Sequence, residues 1–460
     1  MANIVQEQMI RNLLKTVYLT GVSNALYQNS PILGDIKKSS WEGGKDIKYA
    51  VLYGAGGAVG SNYAEVLQNG STVMNGEWTM TPGYMTSVFG IDQPELLTTA
   101  SERGAYMKAL QNKMVGNYTR LSRTLATYLY GGKYGVIDKF KEDLEITAGT
   151  NTVELTSAGV MKLDVGSKFV IASDGSGSST PASPLLDAVC TVTKIDDKTV
   201  TFTSTAAVSA KAGDFVELYT SRNGSDVNGI EGLADILPAF AGRTGSAWEQ
   251  YIATPFRGID RSVAVGRLAG QFVKAEADGN TRKSDALVSL LKKCKRAGGV
   301  NDTIILNDET WQEIAKEFGI NSQLIQAINL GEEKNRATKG LTAFQVAFGD
   351  AFIDRVKSDP YMIEDMAYML DMNDLEFYDM GNVGRVIDPV KNGQLGKVNV
   401  ESVGDAGLGD NPSSGINFDK LFTVESGAAG VFGPSLLIGT HVYGNFKLGQ
   451  TAGSGVADLS

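Results

Sequence analysis

Between Pro94 and Tyr130 the residues Met107, Leu110, Met114, Tyr118, Leu121, Leu125 and Tyr128 recur at steps of three and four. That is the spacing of one apolar face of an α-helix. Asp92 can cap its start with Pro94 in the first turn, and Gly131-Gly132 stop it. A helix of roughly 35 residues would be about 50 Å long, some three times an ordinary globular helix. An element of that length is a spine for something flat and wide.

The period changes ahead of it. In "IKYAVLY" the residues Ile47, Tyr49, Val51 and Tyr53 share one face, with Lys48, Ala50 and Leu52 on the other. "NGEWTMTPGYMTSVFGID" alternates again, with Trp78 and Met80 against Thr79 and Thr81, and Met85 and Phe89 continue past the Pro82-Gly83 break. Joined by "GAGGAVGSNYAEVLQNG", the two runs predict a long β-hairpin with an elaborated tip. Further upstream, Val5, Met9, Leu13 and Val17 make one helical stripe with Ile10 and Leu14 beside it. Pro31 and several glycines then break the chain into an extended arm.

Beyond the helix, residues 144–222 form a separate block of short alternating runs. Asp196-Asp197-Lys198 makes a tight turn between Val189–Ile195 and Thr199–Thr203, and Ser173–Pro184 forms a polar surface loop. The block predicts a small β-barrel or sandwich inserted into the main fold. Helices return after Pro238: Ser284 caps a helix with Leu287, Leu290, Leu291 and Cys294 inward. Asn307 caps a second helix that follows the strand "TIIL" and turns Trp311, Ile314 and Phe318 inward. From Ala343 to the end the chain is again rich in strands.

Composition narrows the function. The formal charge of −10 is opposite to that of a dedicated nucleic-acid binder, and the basic run Lys292–Arg296 reads as the solvated face of a helix. The two cysteines, Cys190 and Cys294, form no CxxC pair, so neither zinc nor a disulfide framework is expected, and both should be reduced and buried. The single histidine, His441, lies in a strand-like run and reads as structural. The acidic cluster Asp371, Asp374, Glu376 and Asp379 lacks the turn glycine of a calcium loop. No run approaches the ~20 apolar residues of a membrane span, and the start is not a signal peptide. No cofactor, metal or membrane partner is expected, and no catalytic constellation is visible.

Taken in order, these parts give an α+β chain that resembles the major capsid proteins of tailed bacteriophages, with their Hong Kong 97-like fold. Residues 1–40 resemble the N-terminal arm, 41–92 the extended E-loop, and 93–143 the peripheral domain with its spine helix. The inserted β-domain at 144–222 resembles one carried by some members. Residues 223–345, with "GIEGLADILP" and "TIILNDETWQEIAKEFG", resemble the axial domain, and 346–460, with "DPYMIEDMAYMLDMNDLEFYD", the strands that complete both domains. The resemblance implies a structural, non-enzymatic protein that assembles into hexamers and pentamers of an icosahedral shell around double-stranded DNA. That shell would form in a host bacterial cytoplasm, without sequence-specific DNA contacts. It also implies a portal and decoration proteins as partners. The arm leaves no room for a fused scaffolding domain, so a separate scaffolding protein is expected. Some relatives crosslink from an E-loop lysine, but no lysine occurs between Lys48 and Lys108, so non-covalent contacts are expected.

A hairpin alone buries too little surface to be stable in water. Val59, Tyr63, Val66 and Leu67 at its tip, and Val5, Met9 and Leu13 in the arm, are therefore expected to contact neighbouring subunits. An encapsulin-like compartment shares the fold but usually lacks such an insertion, and tail-tube subunits are shorter and lack the spine. The remaining rival is a dinucleotide-binding oxidoreductase. Gly54, Gly56 and Gly60 fit a variant G-x-G-x-x-x-G turn, with Glu77 as the later acid. The alternation of its next strand speaks against a parallel sheet buried on both faces.

Overall fold

The computed structural model describes most of residues 30–379 and 435–459, with short strands between them at 385–387, 390–391, 394–395 and 422–423. Residues 1–29, 93–102, 173–184, 240–245 and 322–345 lie outside the described residues. So do the arm stripe with Val5, Met9 and Leu13, and the surface loop at 173–184.

The fold is α+β and has three packed units. The first is built around the helix Arg103–Gly131. Leu121, Leu125 and Tyr128 are buried, as the periodicity requires, together with Leu129 and Tyr130. Gly132 ends the helix at φ +68°, and its N–H donates to the Tyr128 carbonyl at 3.0 Å. No other residue fits there, because a Cβ on Gly132 would lie 2.6 Å from the Asp235 carboxylate. That carboxylate accepts from Lys133 N at 2.6 Å and Gly232 N at 3.0 Å. Burial pushes its pKa up to about 6.

Against this helix lies a sheet organised on the tail strand Ser435–Leu448. It pairs antiparallel with Gly83–Asp92 over ten residue pairs, and also with Leu375–Asp379, Arg385–Ile387 and Phe422–Thr423. Lys37–Ser40 adds a parallel edge on Leu375–Asp379. Just before it the short helix Pro31–Asp35, capped by Ser30, buries Ile32 and Leu33 in the same core. The Ser30 hydroxyl donates to Asp359 at 2.5 Å, and the Tyr130 hydroxyl donates to the same oxygen at 2.8 Å.

The second unit is a six-stranded antiparallel sheet. Its order is Val136–Lys139, Phe215–Leu218, Lys168–Ala172, Leu185–Asp196, Thr199–Ser204, Gly149–Glu154. It has a core around Phe169 and Phe202, which meet edge-on at 5.2 Å, while Val136, Ala172 and Phe215 of its strands pack into the core around the long helix. The third unit is a mixed five-stranded sheet in the order Gln271–Lys274, Gly455–Asp458, Met366–Leu370, Thr303–Leu306, Arg355–Ser358. Its central strands Thr303–Leu306 and Met366–Leu370 are buried along their whole length. The helices Lys283–Arg296 and Asp308–Asn321 belong to this unit, and the first buries Leu287, Leu290, Leu291 and Cys294.

Three expectations change. Gly83–Asp92 is not an extension of the hairpin: it joins the tail strand, because alternation fixes a strand's faces but not its partner. Asp92 ends that strand, paired with Ser435; the expected first turn at Pro94 lies outside the described residues, and the described helix runs for 29 residues. The inserted unit starts at Val136, earlier than the expected residue 144, since its first strand has only four residues and shows no readable period. Ser284 does not cap its helix. Glu317 does so from the neighbouring helix, accepting from Lys283 N at 3.0 Å and Ser284 N at 3.1 Å. Asn307 does cap its helix, accepting from Glu309 N at 2.9 Å.

Candidate functional site

Among the described residues the hairpin strands Ile47–Gly54 and Met74–Met80 pair only with each other, antiparallel, with Tyr49 opposite Trp78 and Ile47 opposite Met80. At the base their alternation buries one face on the body. Trp78 is 1% exposed and meets Tyr49 edge-on at 5.4 Å and Phe256 at 6.3 Å. Gly76 passes so close to Ile259 that a Cβ would lie 2.8 Å from the Ile259 Cδ1. Thr79 N donates to the Arg257 carbonyl at 2.8 Å.

Towards the tip this burial ends. Leu52, Val73 and Met74 are more than half exposed, and the helix Tyr63–Gln68 has no buried residue. Tyr63 is 77% and Leu67 66% exposed, and Val59 is fully exposed. Val66 differs from them: it is half-buried and packs back on the loop, where a Cβ on Gly60 would lie 3.2 Å from its Cγ2. Within GAGGAVG, Gly57 needs to be glycine for its backbone, at φ +97° with open space around it, and Gly54 for room, since a Cβ there would lie 2.9 Å from the Met74 Cβ. Six uncovered apolar side chains on one projecting element form a surface that water disfavours and another protein surface can cover.

Below the tip the chemistry is polar and buried. The Arg257 guanidinium donates to Glu231 at 2.9 Å, to the Tyr49 hydroxyl at 2.7 Å and to the Phe446 carbonyl at 2.6 Å. Burial alone would lower its pKa, but Glu231 and Tyr49 outweigh that and hold it above the usual value. Sequence reasoning missed this cluster. Its one local signal was an Arg-Gly pair between the apolar residues Phe256 and Ile259.

The other candidates resolve into structure. The strand before GAGGAVG belongs to a two-stranded antiparallel sheet, and the helix after it has six residues. A dinucleotide fold would have a parallel sheet and a longer helix there. Two pockets of about 310 and 360 Å³ lie away from that turn, in the regions of Lys283–Glu317 and Trp248–Arg296. Asp371 accepts from Asn373 N at 2.9 Å within a turn, and Glu376 pairs with Lys37 and Lys447. Among the described residues no cluster of His, Cys, Asp and Glu could hold a metal ion, and no helix is long and apolar enough to cross a membrane. Burial pushes the thiols of Cys190 and Cys294 up to about 11 and about 12, and both are free.

No protein-family model matches the chain, and no curated protein matches it. Solved structures do resemble it along nearly their whole length. The capsid asymmetric unit of cyanophage A-1(L) is 10% identical with a TM-score of 0.43, over 96% of this chain and 95% of that one. The capsid of a native GTA particle is 9% identical with a TM-score of 0.41, over 95% and 90%. A chain of the satellite phage P4 procapsid is 10% identical with a TM-score of 0.35, over 100% and 98%.

Proposed function

We propose that this chain is the major capsid protein of a tailed bacteriophage, with a Hong Kong 97-like fold, and that its work is structural rather than catalytic. The observation that carries the reading is the hairpin. Its base is locked to the body through Trp78, while Leu52, Val59, Tyr63, Leu67, Val73 and Met74 stand uncovered at its far end. A monomer gains nothing from such an arm. In a closed symmetric assembly each arm lies on a neighbour and removes that surface from water. The long helix, the central tail strand and the α/β unit supply the body that carries this arm.

On this reading the protein assembles with copies of itself in hexamers and pentamers around double-stranded DNA. Its partners are a separate scaffolding protein, a portal and decoration proteins, and its place is the virion, assembled in the host cytoplasm. The formal charge of −10 suits a wall that encloses DNA without gripping it. The hairpin residues Val59, Tyr63 and Leu67 are the proposed subunit contacts, with Val66 shaping the tip from within; Val5, Met9 and Leu13 of the arm are proposed as further contacts. Sedimentation velocity of the purified protein, alone and co-expressed with a scaffolding protein, tests this. The expected result is a fast-sedimenting assembly of many copies. A single slow species under both conditions contradicts it.

A further inference from the structure

The hairpin leaves the body beside one turn, and one residue of that turn bonds to both hairpin strands, to the preceding loop and to the tail strand. The turn Phe256-Arg257-Gly258-Ile259 is closed by Phe256 N to Ile259 O at 2.9 Å and Ile259 N to Phe256 O at 3.0 Å. Arg257 has φ +50° and Gly258 φ +89°, the geometry of a type I′ turn, whose first central position favours Asn, Asp or Gly. An arginine held there against its backbone preference is explained by what its side chain reaches. Its three bonds run to Tyr49 of the hairpin, to Glu231 of the preceding loop and to the carbonyl of Phe446 on the central tail strand. Its own carbonyl takes the N–H of Thr79 from the second hairpin strand. Glu231 in turn accepts from Asn445 at 3.1 Å, and Asn445 donates to the carbonyl of Thr81 at 2.9 Å. The side chain of Arg257 is 1% exposed.

We infer that Arg257 is a positioning residue that sets the angle at which the hairpin leaves the body. The inference rests on reading the hairpin as the subunit-contact arm. Burial of Trp78 and Met80 holds the hairpin down, but apolar burial is non-directional. A planar guanidinium with three fixed donors is directional, and a lysine ammonium is not. Angle matters because each strand runs on from Tyr49 to Gly54 and from Thr79 back to Met74, about 17 Å beyond the socket. A tilt of about 10° there moves the far end of the strands by about 3 Å, and a symmetric shell repeats the error in every subunit.

Hydrogen exchange followed by mass spectrometry, with electron microscopy of the same preparations, tests this on the full chain. Arg257→Lys should speed exchange across 47–54 and 74–80 by roughly ten- to a hundredfold and leave the sheet strand 303–306 as protected as in the wild type. Its shells should fail to close or should vary in diameter. Tyr49→Phe, which removes one of the three bonds, should give a smaller rise confined to the same strands. If Arg257→Lys loses protection everywhere, Tyr49→Phe decides: a rise limited to the hairpin supports the role, and no rise overturns it. Uniform wild-type-like shells from Arg257→Lys, with unchanged hairpin exchange, overturn the role of Arg257 and leave the capsid reading standing. A wild type that forms no shells overturns that reading itself.

Discussion

Trp78 and Arg257 divide the work at the hairpin base, and only one of them was legible in the sequence. Trp78 sits in a run of period two, so its burial followed from alternation with Met80. Arg257 draws its meaning from Tyr49, 208 positions away, and Phe446, 189 positions away, and no local pattern encodes such a meeting. Trp78→Ala should cost about 3–5 kcal/mol of stability through the cavity it leaves, read from the shift of the urea midpoint. A loss below about 1 kcal/mol would mean that the hairpin is not seated as described. Lys162 offers a separate test. Its ammonium is buried, donates to the Ile137 carbonyl at 2.9 Å and faces Asp138. Burial lowers its pKa from 10.5 to about 8, although Asp138 and Asp359 pull the other way. The unfolded chain therefore holds this proton where the folded one has released it, and stability should rise as pH climbs from 8 to 10.5. Lys162→Met should remove that rise from the urea midpoint profile. If the variant's profile parallels the wild type's, the lysine is not held as a buried base.

At the scale of elements, the spine helix and the β-rich insertion were readable because long periodic runs leave little ambiguity. Partners were not. Gly83–Asp92 alternates as a hairpin strand would, yet it pairs with Ser435–Leu448, because a distant strand satisfied the same faces. Glu317 capping Lys283–Arg296 was hidden for the same reason: the cap comes from another helix. The hairpin tip is where element and function meet. Val59→Asp and Leu67→Asp replace side chains that touch solvent in the subunit, so each should change its stability by less than about 0.5 kcal/mol. Each should also sharply reduce assembly, seen as subunit left unassembled after sedimentation. Normal assembly by both variants would remove the tip from the list of subunit contacts.

For the whole molecule, the succession of hairpin, long helix, β-rich block and helix–strand region was legible in the periods, and the ends of each were not. The inserted unit begins and ends side by side: Val136 pairs with Glu217, and Leu218 N donates to Gly135 O at 3.1 Å. With a core around Phe169 and Phe202, the stretch 136–218 should fold alone and unfold cooperatively by circular dichroism. A non-cooperative melt would show that it depends on the rest of the chain, where Val136, Ala172 and Phe215 enter the core around the long helix and Ser157 N donates to Glu364 at 3.0 Å. The central claim is that the uncovered arm serves to build a closed shell. Electron microscopy of the purified protein, expressed alone and with the proposed scaffolding protein, tests it most directly. The account predicts closed icosahedral particles with the hairpin tip lying on an adjacent subunit; a monodisperse small oligomer with the tip left in solvent would contradict it.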